Sequence, residues 1–338
     1  MKRATNLFAG ILLGLTLVSA TAQAETVLRF SNWVPPTHPL TTGAFKVWAK
    51  KIATATEGRV KVNLTPPLGK PPAHFDLVKS GAADIAWGVH GYTIDRFQLE
   101  YGIMLPFYAK SATAASVAFW RTHKKFFAQA KEHAGVKLLG LDAHGPAMVF
   151  TTKQRIRSLG DMKNLKIRIG GGIVSDISKA LDVTPFFAPA PKAYEVLSKG
   201  VADGIFFPAE SVASFKIDKI IKNALIIPGG LYRSTNYIIM NQAKWDSLSK
   251  PDQDAVESVS GEALARLMGS VWDAADEVGH KAMQASGTDV HVVKGPFLAE
   301  LTAKLAHLEA AWIARAAKQG VDGRAALDFF KAEIAKLD

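Results

Sequence analysis

The run Leu77-Val78-Lys79-Ser80-Gly81-Ala82-Ala83-Asp84-Ile85 is matched in chemistry, about 120 residues later, by Val196-Leu197-Ser198-Lys199-Gly200-Val201-Ala202-Asp203-Gly204. In each copy an apolar helical run stops at a glycine, the residue that most readily takes the left-handed conformation a helix C-cap needs. An Ala-Asp pair then leads into an apolar strand, "IAWG" (Ile85–Gly88) in the first copy and "GIFFP" (Gly204–Pro208) in the second. Two helix-to-strand units of one design point to two domains of related build. The same punctuation is common in α/β chains, so taken alone the echo leaves one domain and two about equally open.

The flanking sequence keeps the alternation going. "TVLRFSNWV" (Thr26–Val34) reads as a strand, "GAFKVWAKKIATATEG" (Gly43–Gly58) has helical spacing of Phe45, Trp48 and Ile52, and "RVKVNLTP" (Arg59–Pro66) alternates as a strand again. That order is the mark of the α/β class. From Ser249, a predicted N-cap with Pro251 and Asp252 in the first turn, the chain is almost wholly helical. The apolar spacing of these late helices reads as packing, with no reacting group concentrated in them.

The N-terminus has Lys2 and Arg3, an apolar run from Leu7 to Val18, and Ala22-Gln23-Ala24, the small-x-small pattern of a signal peptidase site, so residues 1–24 are expected to be a secretory leader. The apolar run falls short of the ~20 residues that span a bilayer. Removing the leader from 338 residues leaves 314, more than one core usually serves, which again favours two domains. The chain has no cysteine, which excludes disulfides, thiolate metal sites and cysteine nucleophiles. Without the leader, 39 basic residues face 30 acidic ones, a formal charge of +9. These cations are scattered, with no stripe suited to nucleic acid, and read as a solvated basic surface.

No nucleotide-binding, zinc-protease, nucleophile-elbow or calcium-loop motif is present. "NLKIRIGGGI" (Asn164–Ile173) carries more. Leu165, Ile167 and Ile169 alternate with Lys166 and Arg168, as in a half-buried strand whose cations share a face, and three glycines follow. Gly170 and Gly172 begin a dinucleotide fingerprint, but its third glycine is replaced by Ser175, so a phosphate cradle is only weakly supported. Arg168 ends a strand where α/β sheets open their ligand crevices, and its planar fork suits a carboxylate. Spacing alone does not reject a solvent-facing arginine there. Among the histidines, His123 and His133 read as surface residues of a charged helix. His38, His90 and His144 follow predicted strands, where a ligand contact and a structural hydrogen bond are about equally expected.

Taken in order, "LVKSGAADIAWG", "LPF" (Leu105–Phe107), "NLKIRI", "ALDVTP" (Ala180–Pro185), "AYEVLSKGVADG" (Ala193–Gly204) and "MNQAKWDSLS" (Met240–Ser249) resemble the DctP-type solute-binding proteins of TRAP transporters over essentially the whole mature chain. The resemblance implies a two-lobed periplasmic binding protein of type II-like α/β build, with crossing strands, a bridging helix and a ligand cleft between lobes. It implies no enzymatic activity, delivery of a small organic anion to TRAP membrane subunits, and a carboxylate clamp at Arg168. Lobe I is expected over 25–145 plus about 236–270, and lobe II over 146–235 plus about 271–338.

Departures from the family pattern narrow the ligand. "HGPAMVF" (His144–Phe150) lacks the second arginine of sialic-acid-type members, and Phe206-Phe207 stands where a Glu-Asn or Glu-Trp pair occurs in others. Two phenyl rings favour a monocarboxylate with an apolar or aromatic body, since an unpaired hydroxyl buried against them costs ~1 to 3 kcal/mol. Trp33 and Phe207 are expected to enclose that body, and His90, Tyr92 and Tyr232 to hydrogen-bond a neighbouring hydroxyl or keto group. Glu210 belongs to the same set only if paired with a cation or protonated. No cofactor and no metal are called for, and no nucleic-acid or integral membrane role. A sensor module feeding a membrane receptor, and less so an exported α/β hydrolase, are the alternatives; neighbouring genes for a small and a large membrane subunit would separate delivery from sensing.

Overall fold

The computed structural model describes residues 25–93, 95–108 and 111–337. The expected leader, 1–24, lies outside them. Eleven strands form two sheets. Strands β1 (Thr26–Ser31), β2 (Val60–Thr65), β3 (Ile85–Val89), β4 (Val136–Ala143) and β10 (Thr235–Asn241) make the first, in the order β2-β1-β3-β10-β4. Strands β5 (Ala147–Thr151), β6 (Lys166–Ile169), β7 (Thr184–Phe187), β8 (Gly204–Pro208), β9 (Asn223–Ile226) and β11 (Asp289–Val292) make the second, in the order β11-β9-β5-β8-β6-β7. Both sheets are mixed: β1 runs parallel to β2 and β3, while β10 is antiparallel to β3 and β4.

The helices are α1 (Lys46–Ala55), α2 (His74–Lys79), α3 (Ala112–Thr122), α4 (Val174–Ala180), α5 (Ala193–Ser198), α6 (Glu210–Ser214), α7 (Gln242–Asp246), α8 (Lys250–Ser258), α9 (Gly261–Ala285), α10 (Gly295–Leu305), α11 (His307–Lys318) and α12 (Gly323–Ala335). Both members of the sequence echo fold alike. Helix α2 ends before Gly81 at φ +81° and leads to β3; α5 ends before Gly200 at φ +65° and leads to β8. Both glycines hold the left-handed conformation that side chains with a Cβ resist. Ser249 caps α8 by accepting from the Asp252 amide, with Pro251 in the first turn.

The chain passes between sheets three times, once through helices α7 to α9 from β10 to β11 and twice by direct crossings, from β4 to β5 through His144-Gly145-Pro146 and from β9 to β10 through residues 227–234. The direct crossings touch: a Cβ on Gly230 would stand 2.9 Å from Pro146 Cα. Helix α9, 25 residues long and so about 37 Å at 1.5 Å per residue, packs on α3 and β4 of the first lobe and on α6 of the second. The tail is less one-sided than its expected place in lobe II. Helix α12 packs on α3, which covers the first sheet, and Arg121 of α3 binds Glu262 of α9 and Glu333 of α12. No helix among the described residues is long and apolar enough to cross a membrane.

Candidate ligand-binding site

Between the two sheets lies a small cavity, about 40 Å³, walled by both lobes. Its key cation is Arg168 on β6. Lys166, two residues earlier on the same face of the strand, is exposed, whereas Arg168 is 1% exposed, so that face runs from solvent into the interior. The Arg168 Nε donates to the Ala188 carbonyl at 2.8 Å, and the guanidinium lies 4.5 Å from the Phe207 ring centroid. Those contacts fix the plane of the fork. Its Nη2 has no hydrogen-bond partner. A buried charged donor left open in this way is costly, and an anion in the cavity satisfies it.

Aromatic rings make most of the remaining wall. Trp33, just after β1, stacks on Trp87 of β3 at 4.3 Å and 16°, and its Nε1 donates to the Trp87 carbonyl. Phe207 stacks on Phe215 at 5.5 Å. Tyr92 reaches in from the turn after β3, and its hydroxyl accepts from the Ala190 amide of the second lobe at 2.8 Å, which leaves its own proton for another acceptor. Burial raises the Tyr92 pKa, and the adjacent Arg168 charge partly opposes that. Tyr232 donates to the Phe206 carbonyl at 2.9 Å, so toward a ligand it can only accept.

Glu210, at the start of α6, is fully buried, and its Oε2 has no partner. Burial pushes its pKa up to about 8, with Asp276 on α9 adding to the shift. The protonated form is therefore favoured at neutral pH. His38 Nε2 lies 3.8 Å from Glu210 Oε2, but burial lowers His38 to about 4, so the pair is neutral and not a salt bridge. Asp276 itself accepts from the Glu210 amide and is pushed by burial to about 7.

Six of the seven residues singled out from sequence, Trp33, Tyr92, Arg168, Phe207, Glu210 and Tyr232, line this cavity. His90 does not. Val89 faces the cavity, and the next residue turns to the opposite side, where His90 contacts Phe97, His133 and Tyr237. His133 and His123 are themselves buried, at 7% and 8% exposure, against the surface positions expected for both. A π-helical turn over His123–Phe127 rotates that face inward. His144 lines the cavity with both ring nitrogens engaged, Nδ1 to the Gly145 carbonyl and Nε2 accepting from the Ser234 amide.

The sequence reading missed Trp87, Asn236 and Trp272, all in the wall, whereas His38, whose role that reading left open, does line it. Trp272 comes from α9, whose helices were read as packing alone; its Nε1 and the Asn236 amide both donate to Asp142 Oδ1 at 2.8 Å. Of the glycines after β6, Gly170 lines the cavity and Gly171 serves the contact between lobes. A Cβ on Gly171, at φ +81°, would stand 2.4 Å from the Gly91 carbonyl oxygen, so this turn lets the two lobes meet backbone to backbone.

A roomier cavity of about 880 Å³ opens beside Trp120 and Arg121, near the start of α9. It is an open surface groove flanked by exposed lysines, and Arg121 there is already paired with Glu262 and Glu333. The smaller cavity has the open donor and the larger share of aromatic rings, and it is the candidate site.

Two α/β lobes joined by strand crossings, with a buried guanidinium open toward the space between them, define a binding protein that closes on a small solute. The sequence matches the family described as "Bacterial extracellular solute-binding protein, family 7" over residues 30–315, and the chain belongs to that family. It is 33% identical over 329 residues to the "Outer membrane transporter protein TsaT" of Comamonas testosteroni, covering 97% of this chain and 96% of the relative. A TRAP periplasmic solute-binding protein from Bordetella bronchiseptica, solved with bound (R)- and (S)-mandelate, superposes with a TM-score of 0.91 at 42% identity, over 93% of this chain and 100% of that one. A TRAP solute-binding protein from Rhodoferax ferrireducens T118 in complex with copurified benzoate gives 0.86 at 30% identity, over 92% and 98%. The chain is thus a solute-binding protein of a TRAP transporter, from a family of transport proteins and not of enzymes.

Proposed function

We propose that the solute is an aromatic or similarly apolar monocarboxylate, that its carboxylate is clamped by Arg168, and that it is captured in the periplasm after a leader is cut behind Ala24. The observation that carries the ligand class is the Arg168 Nη2, buried without a partner in a cavity whose wall includes the rings of Trp33, Trp87, Tyr92, Phe207, Phe215 and Trp272. Trp33 and Phe207 would enclose the apolar body, the Tyr92 proton and the Glu210 carboxyl would donate to ligand oxygens, and Tyr232 would accept from a ligand hydroxyl. The small cavity and the phenyl rings disfavour a polyhydroxylated acid. Mandelate and benzoate in the two structural relatives support the same class. We assign the lobes as 25–145 plus about 236–270 and 146–235 plus about 271–338, with the tail also contacting the first, and with closure about the two crossings.

A thermal-shift screen of the mature protein against mandelate, benzoate and gluconate tests this, because a ligand at 100 times its Kd adds about 2.7 kcal/mol to stability. The aromatic acids should raise Tm by several degrees and gluconate should not; the reverse order refutes the ligand class. Phe207→Asn should weaken the aromatic acids and spare or improve gluconate. If both bind the variant as they bind the parent, Phe207 is not part of the site.

A further inference from the structure

Behind β3, on the side away from the ligand cavity, lies a second cluster of chemistry-bearing side chains. His90 Nε2 stands 3.1 Å from His133 Nε2, and a Glu100 carboxylate joins them, with the three ligating atoms all within 4.8 Å of one another. His90 and Glu100 are 0% exposed and His133 is 7% exposed. The Glu100 carboxyl meets another acid, the Glu132 carboxyl, and the Nδ1 atom of His133 has no hydrogen-bond partner. An N–H···N bond between two neutral imidazoles accounts for the 3.1 Å separation, but among the described residues it leaves the His133 Nδ1 orphaned in the interior and Glu100 without a cation.

We infer that His90, His133 and Glu100 form a site for one divalent transition-metal ion, with zinc the favoured occupant. Two imidazole nitrogens each bound ~2.0 to 2.1 Å from a tetrahedral zinc stand about 3.3 Å apart, close to the separation observed. A rotation of the Glu100 side chain brings in the third ligand. Two imidazoles and one carboxylate suit zinc, whereas calcium and magnesium prefer oxygen alone. Glu132 stands next to Glu100 and is held in place by accepting the amides of Gln98 and Leu99 at 2.9 and 3.3 Å. The fourth position is open to it or to water. A cavity of about 240 Å³ lined in part by His123, Glu132 and His133 gives a route in from the surface.

The ion ties together three segments of the first lobe: the end of β3, the turn Glu100–Gly102 and the loop after α3. The turn His90–Tyr92 that supplies a metal ligand also supplies Tyr92 to the ligand cavity. Occupancy of one site therefore stiffens a wall of the other.

Chelator-treated mature protein titrated with Co²⁺ should bind one ion per chain with the intense visible absorption of a four-coordinate site, and Zn²⁺ should displace it. His133→Gln and Glu100→Gln should each weaken binding at least a hundredfold, with folding checked by circular dichroism. Exposed-histidine controls, His280→Gln and His307→Gln, should leave it unchanged. Binding that survives His133→Gln and falls with a control variant overturns the site. Because the ligand variants are buried and could fail to fold, the parent settles the matter independently. Crystals grown with Zn²⁺ and measured at the zinc edge should show an anomalous peak between His90 and His133, and no peak, or one only elsewhere, refutes the inference.

Discussion

Arg168→Lys separates a carboxylate clamp from a mere positive charge. Lysine keeps the charge but loses the fork, and in the parent that fork is already oriented by the Nε bond to the Ala188 carbonyl at 2.8 Å and by the Phe207 ring 4.5 Å away. On binding, the arginine offers two parallel N–H groups where the lysine offers one mobile ammonium. The lost charge-assisted bond is worth about 1.5 to 3 kcal/mol. Ordering a side chain that no longer has its carbonyl and ring supports adds roughly 0.5 to 1.5 kcal/mol. The sum, about 2 to 4.5 kcal/mol, falls within the cost of breaking a buried charge pair and corresponds to a Kd about 30- to 2,000-fold weaker. Titration calorimetry with mandelate or benzoate reads it directly, after circular dichroism has shown the variant folded. A Kd within threefold of the parent's would refute the clamp and leave Arg168 a structural cation.

The remaining predictions concern pH and closure. Glu210 and Asp276 have folded pKa values of about 8 and about 7, raised by burial above their ordinary values, so each binds more protons folded than unfolded, and its contribution is lost as pH rises through the folded value. The buried histidines His38, His74, His90, His123, His133 and His144, all lowered by burial, act oppositely, and their effect fades out about one unit above their unfolded pKa of ~6.5. Tm should therefore fall from about pH 7.5 to 8.5, and Glu210→Gln should flatten that fall; a flat or rising parent curve there contradicts the assignment. Gly171→Ala puts a Cβ 2.4 Å from the Gly91 carbonyl oxygen at φ +81°, so ligand affinity should drop at least tenfold and small-angle scattering at saturating ligand should show an open form. Parent-like compaction on ligand addition would show that the lobes close without that contact.

What the sequence disclosed and what it hid divide along physical lines. Local signals held: Gly81, Gly200 and Ser249 perform the capping their neighbours announce, because a cap is settled within one turn of chain. Residues at strand ends reached the cavity more often than not, since α/β sheets gather those ends on one side. Trp87 was hidden because β3 is buried on both faces, so alternation gives no inside or outside. Trp272 was hidden because on a long amphipathic helix a cavity-facing ring has the same spacing as a core-facing one. The burial of His123 depends on a π turn among lysines, and the purpose of Gly171 depends on Gly91, 80 residues away in the other lobe. Neither is written in local pattern.

The strand order of the first sheet also governs when the protein can fold. Strand β10 sits between β3 and β4 and is, among the described residues, the only sheet partner of β4, yet it is made after every strand from β5 to β9. Until residue 241 is available, β3 and β4 present bare edges to one another across a gap, and a truncated chain offers those edges to any other strand it meets. For the exported chain proposed above, such a delay is useful: the first lobe cannot lock while its C-terminal partner strand is still on the near side of the membrane. The cost is a native state rich in long-range pairings, which sets refolding on the slow side and leaves the nascent chain dependent on protection from aggregation during transit.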